Sequence, residues 1–307
     1  MTEAEGTLGV RRILVALDAS SDSMAALEVA VQLAVEFRAE LVGLFVEDSN
    51  LLNMADLPVT REVGSYTAVS RDLDRAAMER QLRALRAAAE RALAHAAEHA
   101  RLRYSFRVSR GSVHVEVLKA ATEVDLVTLG HLGWASCGRR GVGSTARLVL
   151  GQGVVPVLLA QHALQAGSPV FVVYDGTPAA RHGLAFAARL AAAMDGGITV
   201  LTPGDRVSSP DRLAGEAARL ADEAADHLRL RRLKASHHMV PVEDPGQIAA
   251  VARAGHAGAL VMPFGAEWLP VETVQEITGA LRCPVLVVRA VAAAPAAVAP
   301  ADTQPAA

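Results

Sequence analysis

The residues best suited to chemistry lie in one run: Leu129-Gly130-His131-Leu132-Gly133, then Trp134 to Gly138, then Arg139-Arg140-Gly141-Val142-Gly143-Ser144-Thr145. The run follows an apolar, strand-like segment and leads into a helical one. Glycines at such a place let backbone N–H groups approach phosphate oxygens with no Cβ in the way. Gly143-Ser144-Thr145 stands at a helix start, where unpaired N–H groups and the helix dipole favour an anion. Ser144 or Thr145 can cap that helix and also bond a phosphate. Arg139 and Arg140 can neutralise further charge. There is no Walker A lysine, no Gly-x-Ser-x-Gly elbow, no HExxH and no paired-cysteine site. A phosphate cradle without a placed nucleophile and base suits holding a nucleotide better than hydrolysing it.

The elements that must position this loop can be read from periodicity. Arg12 to Leu17 is an apolar run ending in Asp18, followed by a helical pattern over Ser23–Phe37 and a second strand run from Leu41 to Val46. Strand, helix and strand with short connections form a βαβ unit and imply a parallel sheet. A connection from Asp48 to Ser70, a long helix from about Asp72 to Ala100, a strand over Leu102–Val108 and a helix over Val113–Ala121 come next. A strand over Asp125–Leu129, the glycine loop, a helix near Ser144–Gly151 and a last strand over Val154–Ala160 complete the unit. In an open parallel sheet, ligands bind at the carboxyl ends of strands, where this loop begins. The Asp48–Ser70 connection reads as a long loop, serving as a lid or contact surface or as a plain surface insertion. The apolar face of the long helix reads as core or a dimer contact.

The pattern then restarts. A shift of 157 carries Asp18 to Asp175, Leu27 to Leu184, Leu33 to Leu190 and Leu44 to Leu201, and the closing Pro156-Val157-Leu158-Leu159 is echoed by Pro284-Val285-Leu286-Val287. This implies two tandem copies of one domain, each with five strands and four helices: residues 11–162 and 168–290, with an extension over 1–10 and an Ala/Pro-rich, disordered tail over 291–307.

Composition bounds the rest. The chain has 307 residues, enough for two domains, with 30 basic and 33 acidic side chains and a net charge of −3. That balance argues against nucleic-acid partners and a polybasic membrane anchor. Alanine makes up about a fifth of the chain, well above ordinary usage, and accounts for much of the apolar fraction. No long charge-free apolar run suggests a membrane span. Two cysteines, Cys137 and Cys283, are too few for a disulfide framework, and the acidic N-terminus is unlike a signal peptide. A cytoplasmic protein is expected. The histidines at 227, 237, 238 and 256 show no metal-ligand spacing, so no metal site is expected.

The spacing Gly130, Gly133, Gly143, Ser144 resembles the nucleotide loop of the universal stress protein family: Gly, two residues, Gly, nine residues, Gly-Ser/Thr. The opening strand Ile13 to Asp18 and the closing Pro156 to Leu159 are similar to the family's as well. The resemblance spans residues 11–160; the second copy shares only its first strand, first helix and last strand. It implies an α/β fold of tandem open five-stranded, Rossmann-like parallel sheets, whose terminal strands pair edge to edge as an intrachain pseudo-dimer. It implies a nucleotide-dependent stress-response protein that is not an enzyme, with ATP, alone or with Mg²⁺, as its ligand. Asp18 would contact the adenine, with the main chain of Ala16 beside it and Val46 lining the pocket. Gly130 would lie on the ribose side, and Gly133, Gly143, Ser144 and Thr145 would form the phosphate cradle. Leu129 and His131 flank Gly130 and belong to the same site, although His131 reads as a solvent-exposed loop residue. Leu132 departs from the family, which often carries His or Arg there.

In the second copy Val271 and Glu272 stand where Gly143 and Ser144 stand in the first. A carboxylate at a helix start takes the donors that a phosphate would use and repels the phosphate. That copy is therefore expected not to bind ATP in the same manner, despite Asp175. Three rival readings are a nucleotide-independent scaffold using the Asp48–Ser70 surface, a slow ATPase or nucleotidyltransferase, and a flavoprotein-like module. A homodimer of the chain is also open.

Overall fold

The structure is a computed structural model, and it describes residues 9–55, 61–63, 70–72, 75–131, 142–204, 210–229, 233, 235–241, 244, 246–265 and 268–289. The first strand, β1 (Arg12–Ala16), forms because Ile13, Leu14 and Val15 are apolar on both faces of a central strand; all three are fully buried. Each such burial contributes roughly 1.5–3 kcal/mol. Helix α1 (Ser21–Phe37) starts at Ser20, whose side chain accepts the Ser23 N–H, and stops at Arg38 in the left-handed region. Its Leu27, Val29, Ala30 and Leu33 pack on the sheet. Strand β2 (Glu40–Asp48) pairs with β1 in parallel, completing the βαβ unit.

The Asp48–Ser70 connection is not a plain loop. It holds helix α2 (Ser49–Ala55) and two short antiparallel strands, β3 (Arg61–Val63) and β4 (Ser70–Asp72). Asp72 belongs to β4, so the long helix α3 begins three residues later and runs Arg75–His99. β5 (Tyr104–Gly111), α4 (Val113–Ala121), β6 (Leu126–Gly130), α5 (Ser144–Gln152) and β7 (Val157–Ala160) finish the first half. The last strand starts at Val157 rather than Val154: Pro156 has no N–H for the ladder, and Val154 is exposed.

The second half repeats the plan with β8 (Val170–Val173), α6 (Pro178–Met194), β9 (Ile198–Gly204), α7 (Pro210–Arg229), β10 (Ala235–Pro241), α8 (Gln247–Ala254), β11 (Ala259–Pro263), α9 (Val271–Ala280) and β12 (Val285–Val288). All large strands join one ten-stranded sheet in the order β10-β9-β8-β11-β12-β7-β6-β1-β2-β5. Each half thus has its first strand in the middle, with the chain turning one way to its second and third strands and the other way to its fourth and fifth. The halves meet where β12 pairs antiparallel with β7, Leu286 opposite Leu158. That pairing covers two edges that would otherwise expose unpaired backbone groups. It is the edge-to-edge arrangement expected of an intrachain pseudo-dimer.

Both faces of the sheet carry continuous apolar layers that run across this seam. On one face Leu158, Leu286 and Val288 join the cores under α1 and α6. There the Phe37 and Phe186 rings meet edge-on at 5.7 Å, and the Arg189 guanidinium stacks 4.6 Å over Phe37. On the other face α5 and α9 lie side by side, and each has a carbonyl near its end capped from the opposite half. Gln161 Nε2 donates to Leu281 O at 3.4 Å, and the Arg289 guanidinium donates to Leu150 O. No described helix is long and apolar enough to cross a membrane.

Candidate functional site

The carboxyl ends of β1 and β6 form the topological switch point of the first half, the place where open α/β sheets leave a crevice. A cavity of about 350 Å³ opens there. Its lining includes Ala16, Asp18, Val46, Leu129, Gly130, His131, Gly143, Ser144 and Thr145, nine of the ten residues expected from the sequence. The tenth, Gly133, lies in 132–141, outside the described residues, as do Trp134, Cys137, Arg139 and Arg140.

Asp18 is held in a local turn. Its Oδ1 accepts the Ser20 N–H at 3.0 Å, and its own N–H donates to Ser23 Oγ at 3.4 Å. Ala19 between them has φ 62°, a conformation that costs a non-glycine residue of order 1 kcal/mol. The turn sets the Asp18 carboxylate at the cavity wall, beside the start of α1. Gly130 is required by close approach: a Cβ there would lie 2.9 Å from the Asp22 carbonyl carbon and the Ser23 nitrogen. β6 therefore ends hard against the first turn of α1.

The glycine loop is tied at its base. The His131 N–H donates to Ala160 O at 3.0 Å, and the Gly143 N–H donates to His131 O at 2.9 Å. Residues 131 and 143, the two ends of the loop, are thereby stitched together next to the terminal strand. Gly143 is also the N-cap of α5, supplies no side-chain cap, and is followed by no acidic residue in the first turn. Gly143, Ser144 and Thr145 line the cavity where α5 begins, with Ser144 exposed, and the first N–H groups of a helix suit an anion.

His131 departs from the expectation. It is buried, at 4% exposure, rather than solvent-exposed, and neither ring nitrogen has a hydrogen-bond partner among the described residues. The reason is that it extends β6 by one bond to Ala160, so the side chain alternates onto the layer of α5 and α9, as Leu129 does. Burial lowers its pKa, opposed by the charge of Asp22 and by the backbone of Thr278 in α9 of the second half. Burial thus disfavours its protonated form.

Part of the wall was not foreseen. Leu51 of α2 and Leu82 and Leu85 of α3 close the apolar side, so the face of α3 lines the cavity as well as supplying core through Met78, Ala89 and Leu93. Asp48, Asn50, Ser112 and His114 add a polar rim where β2 and β5 end. There the Asn50 N–H donates to Asp48 Oδ1 at 2.9 Å, and Ser112 Oγ and His114 Nδ1 share a hydrogen bond of 3.0 Å. The only sequence signal for this rim was its position after the strand ends. No cluster of three or more metal-ligating side chains occurs among the described residues.

A cavity at the switch point of an open parallel sheet, reaching a helix start, is where open α/β folds hold their ligands. A sequence profile described as the universal stress protein family matches residues 9–161. The chain belongs to the universal stress protein family through that half. Among solved structures, it is similar to a universal stress protein from Archaeoglobus fulgidus DSM 4304, with 17% identity and a TM-score of 0.66, covering 92% of this chain and 98% of that one. It is also similar to a putative universal stress protein from Pseudomonas aeruginosa UCBPP-PA14, with 16% identity and a TM-score of 0.62, covering 92% and 94%. At such identities the likeness concerns the fold, and it extends over both halves. No curated protein matches the chain.

Proposed function

We propose that the first half, residues 11–162, binds an adenine nucleotide, ATP, and that the chain is a nucleotide-dependent stress-response protein. The carrying observation is that nine of the residues the family resemblance implies line one cavity, which reaches the start of α5 at Gly143, an N-cap with no side chain of its own. A volume of about 350 Å³ falls in the range of small-molecule sites. The base fits between Ala16, Val46 and the leucines, with Asp18 at its polar edge. The phosphates fit the opening N–H groups of α5 together with Ser144 and Thr145. Backbone donors can hold phosphate without a basic field, which suits a net charge of −3. Mg²⁺, where present, would come with the phosphates, since this ion commonly keeps waters and binds through substrate oxygens.

The reading treats ATP as a held ligand. Asp18 is engaged in its turn and His131 is buried, so among the described residues neither is placed as a base beside a nucleophile. The second half, residues 168–290, takes a structural or regulatory role. Equilibrium dialysis of the full chain with millimolar ATP, read by chromatography of bound nucleotide and by released phosphate, tests this. One bound equivalent with negligible phosphate release is expected. No bound nucleotide would favour a scaffold role, and steady phosphate release would favour an ATPase.

A further inference from the structure

The second half has a corner equivalent to the one just described, and a side chain of the protein stands in it. β8 leads through Tyr174 into Asp175, as β1 leads through Leu17 into Asp18. The carboxylates sit in the same turn: Oδ1 accepts the backbone N–H two residues on, from Ser20 at 3.0 Å and from Thr177 at 3.0 Å. Thr177 Oγ1 adds a second bond to Asp175 Oδ1 at 2.6 Å. The other oxygen, Asp175 Oδ2, accepts from the Trp268 indole Nε1–H at 3.0 Å.

Trp268 comes from the counterpart of the glycine loop. Phe264 N–H donates to Val288 O as His131 N–H donates to Ala160 O, and Pro270 is the N-cap of α9 as Gly143 is of α5. Residues 132–142 lie between the first pair of anchors and only 265–269 between the second, so the shorter connection brings Trp268 back over the end of β8. Pro263 stands where Gly130 does, a proline rather than a glycine is the N-cap, and Val271 and Glu272 stand where Gly143 and Ser144 do, so a carboxylate occupies the first turn of α9. The features that would receive phosphate are gone, while the carboxylate remains and Asp175 Oδ2 accepts the N–H of a flat heteroaromatic ring. Trp268 packs on the core yet stays partly exposed.

The far wall of the corner is tied down. The Tyr174 hydroxyl donates to Glu223 Oε1 at 2.7 Å, and Arg181 Nε donates to the same oxygen at 3.1 Å, fixing α7 beside β8. Leu220 of α7 reaches within 3.0 Å of where a Cβ on Gly176 would stand.

We propose that the corner at Asp175 is a second heterocycle-binding site, filled from within by the Trp268 indole, whose external ligands are free bases and nucleosides with a ring or exocyclic N–H donor and no phosphate. In the native chain such a ligand competes with a tethered ring, whose effective concentration is millimolar or higher. Binding there is therefore weak until the indole is removed. The inference stands whether or not the first half holds ATP, because it concerns the difference between two proteins.

The test is equilibrium dialysis of the full-length native chain, Trp268→Ala, and Trp268→Ala/Asp175→Ala against adenosine. Trp268→Ala is expected to bind one equivalent more than the native chain, and the double variant to lose that equivalent. Equal stoichiometry in native and Trp268→Ala proteins with matching circular dichroism overturns the proposal. Should Trp268→Ala not fold, the Trp134→Phe chain carries Trp268 as its sole tryptophan. Its emission is then expected to shift red, saturably, with adenosine at roughly ten times the millimolar tether concentration and to stay fixed with ATP. No shift with adenosine, or an equal shift with ATP, overturns it.

Discussion

At the residue scale, the site depends on two backbone constraints and one buried ring. Gly130 and Asp18 act through geometry: one lets β6 end against α1, the other is fixed by Ser20 in a turn containing the strained Ala19. His131 acts through desolvation. Its folded pKa lies below the usual value of about 6.5. As pH falls through 6.5 the unfolded chain takes up a proton that the folded chain refuses, so stability falls until the lower folded pKa is passed. His182 and His237 are shifted the same way by burial. The thermal midpoint is therefore expected to drop from pH 7.5 to 5.5, and His131→Leu to flatten that drop while the other two histidines keep part of it. An unchanged slope in the variant would remove His131 from the account. The lowered carboxyls of Glu123 and Glu223 add acid sensitivity only below about 4.5, a separate window.

At the element scale, α5 and α9 make a natural pair for comparison. Both begin at the end of a connection from the fourth strand of their half, but α5 starts Gly143-Ser144-Thr145 and α9 starts Pro270-Val271-Glu272. Ser144→Glu transplants the carboxylate of α9 onto α5 at an exposed position. It is expected to weaken ATP binding at least about tenfold, the effect of ~1.4 kcal/mol, with the thermal midpoint little changed since an acidic residue suits a helix start. Isothermal titration of both proteins checks this, and equal affinities would take the phosphates away from α5. These elements were legible because they rest on local pattern: α4 falls on Val113–Ala121 as periodicity predicts, and α5 starts at Ser144. What stayed illegible depends on tertiary contact. α2 and the β3–β4 hairpin lie in a stretch without strong periodicity. Leu82 and Leu85 gave a plain core signal although they also wall the cavity. His131 read as a loop residue because the bond that extends β6 through it goes to Ala160, 29 residues away in sequence and invisible to any local window.

At the scale of the whole molecule, the sheet makes the two halves one body. Leu158 of β7 lies opposite Leu286 of β12, both almost fully buried, and apolar layers continue across the seam on both faces. Leu158→Ala is expected to cost about 2–5 kcal/mol, as for other buried leucines. It is expected to lower a single calorimetric transition shared by both halves; two separated transitions in the native chain would contradict a common core. The repeat itself was legible from the matched strands, while the cross-half caps at Leu150 and Leu281 were not, since each joins residues more than a hundred positions apart.

The central claim is asymmetry: two corners built alike, one open to a nucleotide and one closed by its own side chains. Titration calorimetry with ATP on the native chain, Asp18→Ala and Asp175→Ala tests it most directly. The native chain and Asp175→Ala are expected to bind one equivalent with the same affinity, and Asp18→Ala to bind at least about tenfold more weakly. Two equivalents in the native chain, or a loss on Asp175→Ala equal to that on Asp18→Ala, would contradict the account.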